Sequence, residues 1–220
     1  MPDNKDQTKM SNAQPNPGYT VLNDAPCGEV ATIGATGLGR SGTTMLARTL
    51  FEIGLPMWDR LTPRTCEDKV IQKQLKARDH DAFADLCSSR SAQTPRWGFK
   101  CPALRNQMQG CVPLMQGARF VVVFRDMLAV ALRNNLSMGR EQLEALERAE
   151  QGYRRLIKEI QRLEAPVLLL SYEKALQHPE TLVTTLADFS GLPVSPERAA
   201  EIAASTIRNA DPRYQGTQAG

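Results

Sequence analysis

Residues 30–56, VATIGATGLGRSGTTMLARTLFEIGLP, supply a strand, a glycine-rich turn and a helix in that order. The helix pattern is set by Met45, Leu46, Thr49, Leu50 and Ile53, which share one face, and Gly54 followed by Pro56 gives a stop signal. The loop GLGRSGTT, residues 37–44, has what an anion cradle requires. Glycines permit positive φ and close backbone approach, exposed N–H groups point at the anion, and the helix N-terminus adds partial positive charge. Ser41, Thr43 and Thr44 offer hydroxyl donors, and Arg40 offers a planar cation able to grip two oxygens. The sequence from Glu29 to Leu55 is therefore expected to form a phosphate-binding unit at the first edge of a single α/β domain. The plainer alternative is a glycine turn that only packs a helix on a sheet.

Outward from this unit, three more strand candidates follow the one at residues 29–34: PRWGFK (95–100), ARFVVVF (118–124) and PVLLLSY (166–172). The last two are apolar on both alternating sets of positions, as strands buried on two faces are. Helical patterns lie between them. The clearest runs from Arg140 to Leu163, with Leu143, Leu146, Ala149, Tyr153, Leu156, Ile160 and Leu163 as one apolar stripe and Pro166 closing it. Glu144, Glu147, Arg148, Arg155 and Lys158 read as its solvated face. Strands alternating with helices indicate a parallel, doubly wound sheet with ligands at the carboxyl ends of the strands.

Bulk properties narrow the function classes. A chain of 220 residues suits one sizeable α/β domain. A formal charge of +3 falls far short of the cationic surface that drives nucleic-acid binding. The five cysteines form no CxxC pair and are odd in number, so a disulfide framework or zinc site is not expected, and a reducing compartment is. No apolar run approaches the roughly 18 residues of a membrane span, and the N-terminus lacks a signal-peptide core. The expectation is a soluble cytoplasmic protein, with residues 1–27 a flexible polar arm and residues 28–220 the domain.

The nucleoside-triphosphate signature GxxxxGK[ST] is absent. Framing the loop on Gly34 and Gly39 puts Arg40 at the lysine position, and framing it on Gly37 and Gly42 puts Thr43 there. No strand ends in a carboxylate placed for magnesium, since VVVF runs into Arg125. A kinase or ATPase of the same architecture is disfavoured on both counts. A non-catalytic nucleotide-binding domain stays open as the other alternative.

Four fragments, in order, resemble the sulfotransferases that use 3′-phosphoadenosine-5′-phosphosulfate (PAPS). GRSGTTML (39–46) resembles their 5′-phosphosulfate loop, and WGFKCP (97–102) is similar to their strand ending in Lys-x-Pro. FVVVFRDMLAVALRNN (120–135) resembles the strand, Arg-Asp and helix that hold the 3′-phosphate. VLLLSYEKALQHPETLVTTLADFSGLPVSPE (167–197) looks like the Tyr-Glu-x-Leu strand end with its following helix and Gly-Leu-Pro turn. Two positions depart from the family pattern: Met127 stands where Pro is usual, and Arg133 where Ser is usual. Asp126 can still cap the helix after it.

The resemblance implies a three-layer P-loop-like domain around a central parallel sheet, and a PAPS-dependent transfer to a hydroxyl of a carbohydrate or small metabolite. Gly39, Arg40, Ser41, Gly42, Thr43 and Thr44 then hold the 5′ end, and Arg125 with Arg133 the 3′-phosphate. Sulfuryl transfer needs positioning and neutralisation of charge on the departing bridging oxygen, which side chains and loop amides can supply without a metal. Lys100 is the cation at the transferred group, with an ordinary edge charge as its alternative. Tyr172 and Glu173 are expected to brace the site. The acceptor-side base is sought between Trp58 and Arg96, where Glu67 is the first choice and His80 the reserve. Glu67 and Asp68 otherwise read as first-turn acids of the helix EDKVIQKQLKA. Arg60, Arg64, Lys69, Lys73, Lys76 and Arg78 read as solvating charges, and Trp58 and Trp97 as packing groups.

Overall fold

The computed structural model describes residues 16–57, 65–138 and 141–207. Five strands form one sheet: β1 (Tyr19–Leu22), β2 (Ala31–Gly37), β3 (Arg96–Lys100), β4 (Ala118–Phe124) and β5 (Val167–Ser171). Their order is β1-β5-β4-β2-β3; β2 pairs in parallel with β3 and β4, β4 pairs in parallel with β5, and β1 closes the edge antiparallel to β5. The helices are α1 (Thr43–Glu52), α2 (Lys69–Ala77), α3 (His80–Gln93), α4 (Met108–Cys111), α5 (Met127–Met138), α6 (Gln142–Ile160), α7 (Tyr172–Gln177), α8 (Pro179–Ser190) and α9 (Pro196–Thr206).

Side chains alternate across a strand, so each strand feeds two cores. From β4, Val121 and Val123 join Ile33, Leu46, Leu50, Leu182 and Ile202 under α1, α8 and α9. Phe120 and Val122, on the other face, join Phe83, Trp97, Phe99, Val130 and Leu156 under α3, α5 and α6. Helices on both faces of a mostly parallel sheet make three layers. Among the described residues no helix is long and apolar enough to cross a membrane.

Several sequence expectations are corrected. The loop-bearing strand β2 is interior, between β4 and β3, rather than at an edge. Every residue of β2 is buried, which a strand with neighbours on both sides and helices on both faces requires. Residues 19–22, assigned to the flexible arm, form β1, with Tyr19 opposite Leu170 and Leu22 opposite Val167. Four residues with three of them exposed carry too little apolar signal to announce an edge strand. The long helix begins at Gln142 and ends at Ile160, and Leu143, placed in its stripe, is 77% exposed. Ala149, Leu156 and Ile160 of the stripe are buried as expected, Ala145 joins them, and Leu163 reaches the core from beyond the helix end. Tyr172 opens α7 rather than ending β5.

Candidate active site

The parallel strands deliver their carboxyl ends to one edge. In register, Lys100 lies beside Ala35, Gly37 beside Val123, and Phe124 beside Ser171. The loop after β2, the Lys100 strand end, the Arg125 turn and the Tyr172–Glu173 turn therefore share that edge, where open α/β sheets bind ligands.

The loop is built by its glycines. Gly42, the residue before α1, has φ 101°, and an added Cβ would lie 2.3 Å from the Tyr172 ring. At Gly37 an added Cβ would lie 2.7 Å from Ser41 Oγ and 2.8 Å from the Val123 carbonyl. Arg40 takes positive φ, 70°, without being glycine, and is exposed. The first-turn amides of a helix such as α1 have no carbonyl a turn earlier, and these are the donors an anion cradle uses. The hydroxyls divide. Ser41, expected to meet the anion, is fully buried and donates to the Leu38 carbonyl at 2.8 Å, so it shapes the loop from within. Thr43 is also buried, and Thr44 donates to the Thr65 carbonyl at 3.4 Å.

Lys100, 2% exposed, donates from Nζ to the same Thr65 carbonyl at 2.9 Å and to Glu67 Oε1 at 2.8 Å. Glu67 Oε2 accepts from Gln72 Nε2 at 2.7 Å. Lys100 and Thr44 thus share the Thr65 carbonyl, and Glu67 joins them through Lys100. Beneath them Asp68 caps α2, accepting from the amides of Val70 and Ile71 at 3.0 Å. Its other oxygen accepts from Arg90 Nη1 at 2.6 Å, in a pair that is 1% and 2% exposed, and its amide donates to the Lys100 carbonyl at 3.2 Å. The helix cap thus falls to Asp68, and Glu67 stays outside α2 to face Lys100.

His80 is not brought to this group. It opens α3 and its Nε2 lies 3.3 Å from Gln107 Oε1, while Gln107 donates to the Leu75 carbonyl. Lys69, Lys73, Lys76 and Arg78 are solvent-exposed on and after α2; Trp58, Arg60 and Arg64 lie outside the described residues. Trp97 is fully buried and donates to Ser91 Oγ at 3.1 Å, a packing group under the sheet.

At the end of β4, Arg125 donates from Nη1 to the Arg40 carbonyl at 3.1 Å, and its guanidinium lies 4.4 Å from the centre of the Tyr172 ring. Its Nε has no hydrogen-bond partner among the described residues. Asp126 caps α5 by accepting from the Ala129 amide at 2.7 Å, so helix entry proceeds without proline. The Asp126 amide donates to Glu173 Oε1 at 2.9 Å, which makes Glu173 a brace for this turn. Arg133, the seventh residue of α5, is half-buried two turns further along.

Sequence reasoning missed Gln72 and Thr65, the polar partners of Glu67 and Lys100, because a glutamine and a threonine in a polar stretch carry no signal. It read Tyr153 only as a stripe residue. The Tyr153 hydroxyl accepts from the Arg125 amide at 2.9 Å and donates to the Arg125 carbonyl at 2.7 Å. A tyrosine within an apolar stripe was the available clue, since a buried phenol needs a partner.

Three solved structures share this fold. The sulfotransferase domain of a Synechococcus olefin synthase is 18% identical, with a TM-score of 0.55, over 84% of this chain and 82% of that one. A mouse sulfotransferase complexed with PAP is 17% identical, with a TM-score of 0.52, over 82% of this chain and 66% of that one. A sulfotransferase from Mycobacterium avium is 14% identical, with a TM-score of 0.51, over 82% and 68%. No curated protein matches the sequence significantly. The model of the sulfotransferase family matches residues 57–196, which include Glu67, Lys100 and Arg125 and begin after the glycine loop. With more than half of its length matched to that model, the chain belongs to the sulfotransferase family.

Proposed function

We propose that this protein transfers the sulfuryl group of PAPS to a hydroxyl of a carbohydrate or small metabolite, in the cytoplasm, where its five free thiols suit a reducing environment. The observation that carries the reading is the convergence on one sheet edge of a glycine-built anion loop, the Arg125 turn and the Lys100–Glu67 pair.

These residues fit the donor. A cradle in which Cβ atoms at Gly37 and Gly42 would collide with their surroundings, open helix amides and the exposed Arg40 suit the 5′ end. Arg125, whose Nε has no hydrogen-bond partner among the described residues, suits the 3′-phosphate, with Arg133 on α5 as a second cation. When bound, PAPS supplies an activated sulfuryl group on a phosphate leaving group. Arg40, the loop amides of Gly39 and Gly42, and Thr43 and Thr44 at the head of α1 stabilise the charge that grows on the leaving oxygen. Lys100 is held by Glu67 and the Thr65 carbonyl next to Thr44, so its ammonium is available to the transferred oxygens at the cost of a short side-chain motion. Glu67, released from Lys100, accepts the proton of the acceptor hydroxyl.

A binding series with adenosine 3′,5′-bisphosphate, ADP, ATP and AMP tests the reading. The bisphosphate is expected to bind most tightly and ATP with magnesium to gain nothing. Preference for ATP together with magnesium-dependent turnover would establish a kinase instead. Bisphosphate binding with no transfer to any of a panel of sugar and phenol acceptors would leave a nucleotide-binding domain.

A further inference from the structure

We propose that Tyr153 is a positioning residue for recognition of the 3′-phosphate: its hydroxyl clamps both main-chain groups of Arg125 and thereby fixes where that guanidinium meets its ligand. The inference rests on the PAPS reading above. Arg125 lies between the end of β4 at Phe124 and the start of α5 at Met127, so its amide and carbonyl belong to neither the sheet ladder nor the helix. Buried main-chain polar groups require partners. One phenol serves both, accepting at 2.9 Å and donating at 2.7 Å.

The clamp is itself held. The Tyr153 ring stacks on Phe124 with centroids 5.4 Å apart and planes 18° apart, and α6 carries it as part of a buried face. Burial pushes the Tyr153 phenol above its ordinary pKa, so it stays an O–H donor throughout the working range. Glu173 takes the next amide, that of Asp126, and the Tyr172 ring lies under the Arg125 guanidinium. The Arg125–Asp126 pair is thus gripped from α6 and α7. Phenylalanine or leucine would serve a stripe position equally well for packing, but neither would hold Arg125. The hydroxyl acts on the arginine that reads the 3′ position and touches no ligand.

The test is Tyr153→Phe in the full chain, which keeps the ring and its stack on Phe124 and removes only the oxygen. Calorimetry with adenosine 3′,5′-bisphosphate and AMP reads the outcome. Affinity for the bisphosphate is expected to fall roughly 5- to 20-fold, as for loss of paired hydrogen bonds, with AMP changing about twofold or less. An unchanged ratio between the two ligands overturns the proposal, and so does an equal loss for both with a lowered melting temperature, the mark of a merely structural tyrosine. If the unaltered protein itself shows no preference for the bisphosphate, the PAPS reading falls and takes the proposal with it. A preference that survives in Tyr153→Phe sinks only the role of Tyr153.

Discussion

Arg125 donates from Nη1 to the carbonyl of Arg40 at 3.1 Å, tying the turn after β4 to the anion loop after β2. The two arginines expected at opposite ends of the donor are therefore mechanically linked. Arg40 holds φ 70°, a conformation that costs a non-glycine residue energy and persists only when its surroundings enforce it. The bond from Arg125 to its carbonyl is one such constraint.

It follows that Arg125→Ala should act on both ends. Loss of a charge-assisted contact to the 3′-phosphate costs roughly 1.5 to 3 kcal/mol, or about 10- to 150-fold in affinity for adenosine 3′,5′-bisphosphate. AMP binding should fall as well, by a smaller factor, because the loop loses its tether. Arg40→Ala should weaken both ligands alike. Calorimetric titration of the variants with both ligands measures this, and an AMP affinity untouched by Arg125→Ala would mean that the tether does not support the loop.

The glycines of the loop separate into structural and permissive positions. Gly42→Ala places a methyl 2.3 Å from the Tyr172 ring at φ 101°, and should cost several kcal/mol of stability or displace the loop. Gly39 has open space around its Cβ position, so Gly39→Ala should leave the melting temperature within about 2 °C. Thermal denaturation of the pair checks the contrast, and equal melting temperatures would show that the loop readjusts around Gly42.

The buried Asp68–Arg90 pair should be costly to break. Asp68→Ala leaves Arg90 buried without its carboxylate and α2 without its cap, a loss of roughly 3 to 5 kcal/mol measurable by urea denaturation. A loss below about 1 kcal/mol would show that water reaches Arg90 once the carboxylate is gone.

How much of this was legible follows from which interactions are local. The glycine loop, its helix and the two buried strands β4 and β5 were readable because strand alternation, glycine chemistry and helix stop signals act over a few residues. Strand β1 was not, since Tyr19–Leu22 gains its conformation from pairing with Leu170 and its neighbours 150 residues away. The sequence offered Glu67 and Lys100 separately, as base and as cation; the contact between them spans 33 residues and carries no local signal. His80 was placed with Glu67 because both sit in one charged stretch. The nine residues of α2 between them carry the chain about 13 Å along its axis, and the αL residue Arg78 then turns it toward Gln107. The inward turn of the Ser41 hydroxyl is a local feature that the sequence hides: it donates to the Leu38 carbonyl.

Alkaline pH should unfold the protein through its interior thiols. Burial pushes Cys101 up to about 11 and Cys87 and Cys111 up to about 12, against 9.0 for an ordinary thiol. The folded state binds more protons than the unfolded state between these values, so stability is flat below about pH 9 and falls as pH rises towards 11–12. Urea midpoints from pH 8 to 11 should show the decline, and Cys101→Ala should make it shallower. A midpoint constant across that range would mean that the thiols titrate as they do in water.

The decisive variant for the chemistry is Glu67→Gln. Glu67 is the carboxylate that the fold sets against Lys100 beside the loop, with Gln72 holding its second oxygen, so only one oxygen needs to leave its partner to take a proton. A general base of this kind contributes typically about 10² to 10⁴-fold. The amide keeps the size and the Gln72 contact but accepts no proton, so transfer should fall about a hundredfold or more while affinity for adenosine 3′,5′-bisphosphate stays near native. Lys100 loses its counter-charge in this variant, and Glu67→Asp addresses that side effect: a shorter carboxylate restores both charge and basicity at altered reach, and should recover part of the rate. His80→Ala, whose side chain meets Gln107 instead of the loop, should turn over at a near-native rate. If Glu67→Gln transfers normally, Glu67 serves only to hold Lys100 and the base stands elsewhere; if His80→Ala is the slow variant, α3 lies closer to the acceptor than the Gln107 contact allows.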